Sequence, residues 1–299
     1  MSHLVLHDPR FRSLGQGNIA LKQIATGMLW TEGPVYMPQG DYYLWSDIPN
    51  DRVYQWADGM EARVFDYDPR NSNGHTLDRQ GRLISCEHRG RQVSRREHDG
   101  STKILVDSYD GKRLNSPNDV VVKSDGTIWF SDPSYGILTD YEGKRSEQEQ
   151  AGCYVFRFDP KTGDLSIVAD DFVKPNGLAF SPDESLLYVS DTGQSHDPDG
   201  PHHIRVFDVD ELGGPSNSRV FADIQVGMSD GFRLDIDGNV WTSCGSGVQV
   251  FSPEGDMLGE ILVPEVVSNL CFGGPKRNQL LITATTSVYM TYVGATGCC

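Results

Sequence analysis

No run of apolar side chains in this chain approaches the roughly 18–20 residues that a membrane-spanning helix requires, so nothing in it reads as a helical membrane segment. Positive charge is also scarce. Lys and Arg number 26 against 42 Asp and Glu, giving a net charge of −16 and a pI near 4.8. Nucleic-acid binders need a basic stripe that displaces counterions from phosphates, and none is present. The densest basic cluster, Arg89, Arg91, Arg95 and Arg96, alternates with polar residues and is expected to form the solvated face of a strand. Cysteines are few and never spaced as CxxC or as zinc ligands. Cys86, Cys153, Cys244 and Cys271 stand singly in apolar patterns, as buried thiols of a reducing compartment would. Cys298 and Cys299 are expected to fray. Helical periodicity of any length is missing. So is a GxSxG elbow, which argues against a serine hydrolase. Gly15-x-Gly17 follows no strand and opens no helix, so a dinucleotide site is excluded. The start, MSHLVLHDPRFRSLG, is too polar and broken for a signal peptide. A soluble, cytoplasmic, monomeric protein without nucleic-acid or membrane partners is expected.

What the chain has in abundance is punctuation: 32 Gly and 16 Pro between short apolar runs. Among these runs one kind recurs six times. It reads Leu44-Trp45-Ser46, Leu83-Ile84-Ser85, Trp129-Phe130-Ser131, Tyr188-Val189-Ser190, Trp241-Thr242-Ser243 and Leu281-Ile282-Thr283. Intervals of 39 to 59 residues separate them, each holding about four short β runs, with Asp-Gly turns at 58–59, 99–100, 125–126 and 237–238. Four-stranded units repeated radially make a β-propeller. The expected fold is all-β, one domain of six four-stranded blades at about 30–70, 71–112, 113–172, 173–225, 226–264 and 265–293. The last unit is one strand short, and the spare apolar run Ile19–Ala25, within residues 18–26, is expected to supply its outer strand and close the ring.

Counting back 12 to 14 residues from the final Ser or Thr of each recurring strand lands on Glu32, Asn73, Asn118, Asn176, Asp230 and Asn269. An Asn or Asp before Gly, as at Asn73, Asn176 and Asp230, is ordinarily a turn former. Six oxygen-bearing residues in phase point instead to a ring at a common channel. Carboxylate and amide oxygens suit a hard cation of the calcium class, with Glu32 and Asp230 offsetting its charge and Asn118 and Asn176 adding carbonyl oxygens. A cation with open positions polarises a carbonyl or phosphoryl group, and Asp230 could take the proton of attacking water, which predicts hydrolysis of an ester-like bond. His75 is the histidine expected to face the channel. The two longest insertions, Pro133–Gly152 and Thr192–His203, both join second to third strands and are expected to rise over the ring as lids. His196, His202 and His203 in the second insertion are expected to be loop residues rather than a zinc site.

In the stretches Glu32-Gly33-Pro34-Val35, Asn73-Gly74-His75-Thr76, Asn115-Ser116-Pro117-Asn118-Asp119-Val120, Pro175-Asn176-Gly177-Leu178-Ala179-Phe180 and Ser229-Asp230-Gly231-Phe232 the chain resembles the gluconolactonase/regucalcin (SMP-30-like) family. The likeness runs from about Ile19 to Val293 and is strongest to the bacterial gluconolactonase branch. It implies a calcium-dependent lactonase in which Glu32, Asn118, Asn176 and Asp230 hold the ion and Asp230 is the acid–base residue. Zn2+, Mn2+ or Mg2+ are alternative ions. Asn73, His75, Asn118 and Asn269 are the expected substrate contacts. Asp132 resembles a position that lines the site or holds a second ion. Ser116 stands where vertebrate regucalcins carry a sugar-binding Arg. The expected substrate is a small lactone such as gluconolactone. The alternatives are a phosphotriesterase or fluorophosphatase on the same ligands, a lyase or hydratase of sugar acids, and a non-catalytic calcium-binding propeller.

Overall fold

Turn residues cut the chain into six antiparallel four-stranded sheets, seen in a computed structural model that describes residues 3–16, 20–210 and 214–298. Ile19, Gly17 and Cys299 lie outside the described residues. The first strands of the sheets, Thr31–Met37, Ser72–Leu77, Val120–Val122, Pro175–Phe180, Phe232–Leu234 and Val267–Gly273, each touch the first strand of the next, and the last touches the first. The sheets therefore form a closed ring, a six-bladed β-propeller. The second strands, Tyr42–Asp47, Leu83–Glu87, Ile128–Asp132, Leu186–Asp191, Val240–Ser243 and Gln279–Ala284, contain all six recurring runs. In blade 6 the outer strand is N-terminal. Lys22–Thr26 pairs with Ser287–Tyr292, Thr26 opposite Ser287 and Lys22 opposite Met290. No described helix is long and apolar enough to cross a membrane.

A blade with neighbours on both faces buries both, so its strands are apolar without clean alternation. The buried side chains fall into clusters that correspond to the contacts between blades. Trp45 packs with Leu281 and Met290 across blades 1 and 6, Trp129 with Leu178 and Val189 across blades 3 and 4, and Trp241 with Leu270 and Phe272 across blades 5 and 6. Each such side chain, fully buried, stabilises the ring by about 1.5–3 kcal/mol.

Nearer the axis, polar bonds replace apolar contact. Gly74 N–H donates to Asn118 C=O (2.8 Å), Gly177 N–H to Asp230 C=O (3.0 Å) and Gly231 N–H to Ser268 C=O (2.8 Å), each from one blade to the next. The recurring Ser and Thr complete the lattice. Ser46 Oγ donates to Asn73 C=O (2.9 Å), Ser190 Oγ to Asp230 C=O (2.9 Å) and Thr283 Oγ1 to Asn269 C=O (3.1 Å), while Ser243 Oγ accepts from Asp230 N–H (2.8 Å). This explains Asn73-Gly74, Asn176-Gly177 and Asp230-Gly231, which are not turns. A Cβ on Gly74 would lie 2.5 Å from Asn118 O, and one on Gly177 2.4 Å from Asp230 O. The glycines let backbones of adjacent blades meet.

Other sequence expectations change in detail. Leu4–Leu6 adds a fifth strand to blade 5 against Met257–Leu262, and Phe11, on the short helix Phe11–Gly15, is buried beside Trp241. The N-terminal segment thus has a packing role that its polar composition hides. The arginines expected in solvent are instead paired. Arg91 is buried, with Nε on Leu114 C=O (2.7 Å) and Nη1 on Glu149 (3.2 Å), and Arg89, Arg95 and Arg96 bridge to Asp51, Glu97 and Asp66. Cys86, Cys153, Cys244 and Cys271 are buried free thiols. Cys298 is not frayed, since its N–H donates to Leu234 C=O (2.9 Å).

Because Gly177 sits where two backbones touch, Gly177→Ala should destabilise the fold by about 1–3 kcal/mol, measured as a lower urea midpoint at unchanged m-value.

Candidate active site at the hub

In blades 1 to 5, a residue at the start of the inner strand or two positions before it presents its side chain to one end of the channel. There these side chains floor a cavity of about 490 Å³, lined by Glu32 from blade 1, Asn73 from blade 2, Asn118 from blade 3, Asn176 from blade 4 and Asp230 from blade 5. The two long insertions wall it. Tyr135, Leu138, Thr139, Tyr141 and Glu142 come from the first, and Thr192, Ser195 and His196 from the second. Trp30, Ile48, Met228 and Val266 add an apolar rim. Below the floor the channel is closed by Asp119 and Arg233, paired at 3.1 Å.

The floor is short of positive charge. Burial, with the charge of Asp230 beside it, raises the Glu32 carboxyl well above the usual carboxylate range; hydrogen bonds from Asn269 and the Gly33 N–H only partly oppose this. Burial likewise pushes Asp230 up to about 8, with Glu142's charge adding, against a hydrogen bond from Asn176. Two buried oxygens, Glu32 Oε1 and Asn73 Oδ1, have no hydrogen-bond partner. Buried polar atoms are rarely left so. Among the described residues no three His, Cys, Asp or Glu come together as a metal cluster, so an ion here would rest on two carboxylates and amide oxygens. That donor set, with orphaned oxygens and mutually repelling carboxyls, fits a hard divalent cation.

Not every expected residue belongs to this cavity. Asn269 holds Glu32 in place, its Nδ2 donating to Oε2 at 2.9 Å, and is fully buried behind it. His75 does not line the cavity. Two residues along the strand from Asn73, its ring lies between Ser46 Oγ and Ser85 Oγ, 2.8 Å from each, and burial pushes its pKa down to about 4. It is a neutral packing histidine that locks second strands. Asp132 is also displaced from the expected role. Like Asp47 and Asp191, it ends a second strand and accepts backbone N–H groups from the approach to the inner strand. Asp47 accepts from Leu29 (3.1 Å), Asp132 from Asn115 (2.8 Å) and Asp191 from Lys174 (2.8 Å). The Ser-Asp repeat thus has an architectural part, while Asp132 keeps Oδ1 without a hydrogen-bond partner and burial pushes its pKa up to about 7. Ser116 is buried too. It donates to Pro133 C=O (2.6 Å) and accepts from Gly136 N–H (2.9 Å), pinning the first lid.

One residue that sequence reading passed over is His88, just after the second strand of blade 2. Burial holds its pKa near 4, so it is neutral. Its Nδ1 lies 3.1 Å from Glu142 C=O, which can only accept, so the proton is on Nδ1 and Nε2 accepts from Asn73 Nδ2 (3.2 Å). That chain of bonds turns Asn73 Oδ1 free of protein partners and ties the first lid to the ring. His88 lies in the second-to-third strand connection of blade 2, the counterpart of the connections that carry the lids in blades 3 and 4.

The sequence model of the SMP-30/Gluconolactonase/LRE-like region matches residues 30–286. The chain belongs to that family. It is 29% identical to a gluconolactonase of Zymomonas mobilis over 94% of this chain and 83% of that protein. It is also 29% identical to a 6-deoxy-6-sulfogluconolactonase of Pseudomonas putida, over 82% and 83% of the two chains. The solved structure of a gluconolactonase from Xanthomonas campestris superposes with a TM-score of 0.90 at 35% identity, covering 97% of this chain and 94% of the other.

The raised Asp230 pKa has a stability consequence. Between the unfolded carboxyl's 3.8 and about 8, the native state keeps a proton that the unfolded chain releases. In chelator-treated protein this contribution is therefore full at the acid end and is lost as pH rises through 8. Urea unfolding across that window should show a shallower fall in stability for Asp230→Asn than for the parent chain.

Proposed function

We propose that this protein hydrolyses a sugar lactone, and that Glu32, Asn118, Asn176 and Asp230 bind the divalent ion that assists it. The observation that carries this reading is the meeting of Glu32 and Asp230, from blades 1 and 5, with Asn118 and Asn176 on the floor of one lidded cavity. A cavity of this size suits a single small-molecule ring with its hydroxyls. The gluconolactonases among its relatives support the reaction class.

A bound divalent ion would supply Lewis acidity toward the lactone carbonyl and charge stabilisation as its oxygen becomes anionic. The chain's own groups do the rest. Asp230, ionised once its charge is balanced, accepts a proton from the attacking water and returns it to the ring oxygen as the acyl C–O bond breaks, leaving an open hydroxy acid. Glu32, fixed by Asn269 and Gly33, balances charge without moving. His88, by fixing Asn73, orients an amide oxygen into the cavity. Tyr135, whose hydroxyl lies 2.9 Å from Ser195 Oγ, joins the two lids over the bound ring and limits entry of bulk water.

Proton release from glucono-1,5-lactone, followed in weak buffer, should fall to background in Asp230→Ala with the fold intact. Chelation should abolish it in the parent chain and added calcium restore it, with zinc, manganese and magnesium compared alongside. Near-full activity of Asp230→Ala would remove the assignment. Turnover of a fluorophosphate or phosphotriester in preference to every lactone would move the reaction to phosphorus on the same residues. Ion binding seen as a thermal shift without turnover of either class would leave a binding protein.

A further inference from the structure

The cavity has a charge asymmetry that its floor alone does not explain. Three carboxyl groups line it, Glu32, Asp230 and Glu142, and no Lys or Arg does. Glu32 and Asp230 together match the charge of one divalent ion. Glu142 has no such counterpart. Its carboxylate makes no hydrogen bond or ion pair among the described residues, yet it acts on Asp230 and on Tyr135 across the cavity.

Glu142 is held there by backbone. Its C=O accepts from His88 Nδ1 (3.1 Å), and the next residue, Gly143, packs so closely on Gly136 that a Cβ would lie 2.2 Å from Gly136 O. Lys144 N–H donates to the same carbonyl at 2.9 Å, and Ser146 N–H to Ile137 C=O at 3.0 Å. The lid therefore presents Glu142 on a folded loop, half-buried and facing the hub. Lys174, just before the inner strand of blade 4, does not line the cavity. Its Nζ is bonded to Ser134 Oγ and lies 5.3 Å from the centre of the Tyr135 ring.

A partnerless carboxylate aimed into a cavity has two effects on a ligand. It accepts hydrogen bonds from hydroxyls, which a polyol can supply, and it repels a carboxylate, phosphate or sulfonate. Resting on the lactonase reading above, we infer that Glu142 selects uncharged polyhydroxy lactones, binding their distal hydroxyls and rejecting lactones that carry an anionic group at the far end of the sugar. The Pseudomonas putida relative, a sulfogluconolactonase by name, marks the substrate type this cavity would turn away. The same charge favours product release, because opening the ring turns a neutral ligand into a carboxylate inside a cavity that offers it no Lys or Arg.

The test compares kcat/KM for glucono-1,5-lactone with that for an aldonolactone bearing a carboxylate or phosphate at C6, in the parent chain, Glu142→Gln and Glu142→Asp. The parent should prefer the neutral lactone, and Glu142→Gln should shift the ratio toward the anionic one by about tenfold or more, with Glu142→Asp between them. Raising ionic strength should relieve the discrimination more in the parent than in Glu142→Gln, a difference that a loosened lid would not give. A ratio and salt response identical in the parent and Glu142→Gln would overturn the inference while leaving the hydrolase intact. Turnover of no lactone by the parent would overturn the functional reading and this inference with it.

Discussion

The hub of the ring is built from backbone that touches backbone. Gly74 bonds Asn118, Gly177 bonds Asp230 and Gly231 bonds Ser268 across blade boundaries, at spacings where a single Cβ would collide. These contacts fix more than the fold. Each places the residue beside it, so Asn73, Asn118, Asn176 and Asp230 project from strands whose positions are set by the neighbouring blade. The site needs no dedicated scaffold, because the bonds that close the ring also aim its oxygens. Preorganisation of this kind suits a group that must meet developing charge without rearranging.

That rigidity has an electrostatic cost, visible in the buried carboxyls. Glu32 and Asp230 would be more comfortable in water, and each raises the other's difficulty or is raised by a neighbour. A protein can retain such a pair when something compensates it. Below the floor that compensation is internal, since Arg233 neutralises Asp119. At the floor no side chain plays this part. Two levels of one channel thus differ, one satisfied by a guanidinium and the other left with orphaned oxygens, and that contrast favours the proposed cation at the upper level.

The ring was legible in the sequence because it is periodic. Six recurring strands ending in Ser or Thr, with an oxygen-bearing residue a fixed count upstream, gave the blade number, the inner strands and the floor of the cavity. The same periodicity misled where one pattern serves two purposes. Asp132 sits in a conspicuous Ser-Asp-Pro stretch, yet Ser46-Asp47 and Ser190-Asp191 repeat its architecture, each carboxylate accepting a backbone N–H from the approach to the inner strand. His75 follows a ring residue by two positions, but the close approach at Gly74 and the serines on either side turn its ring into the blade. His88 and Glu142 were hidden for a different reason. They meet through a single bond between connections 54 residues apart, and no local pattern records a contact between two loops.

The position of Ser116 bears on how one hub can serve different substrates. The resemblance implies a sugar-holding Arg at that point in vertebrate regucalcins, whereas here Ser116 is buried and spends both its donor and its acceptor on the first lid. Here the first lid is bonded over Ser116 and brings Tyr135 and Glu142 to the cavity. In the selectivity inferred for Glu142, recognition rests on a loop rather than on the approach to an inner strand. A selecting carboxylate placed on a lid leaves the floor of the cavity unchanged. A propeller can vary its substrate in this way because its lids are insertions between second and third strands, outside the backbone-to-backbone bonds that the inner-strand glycines make across blades.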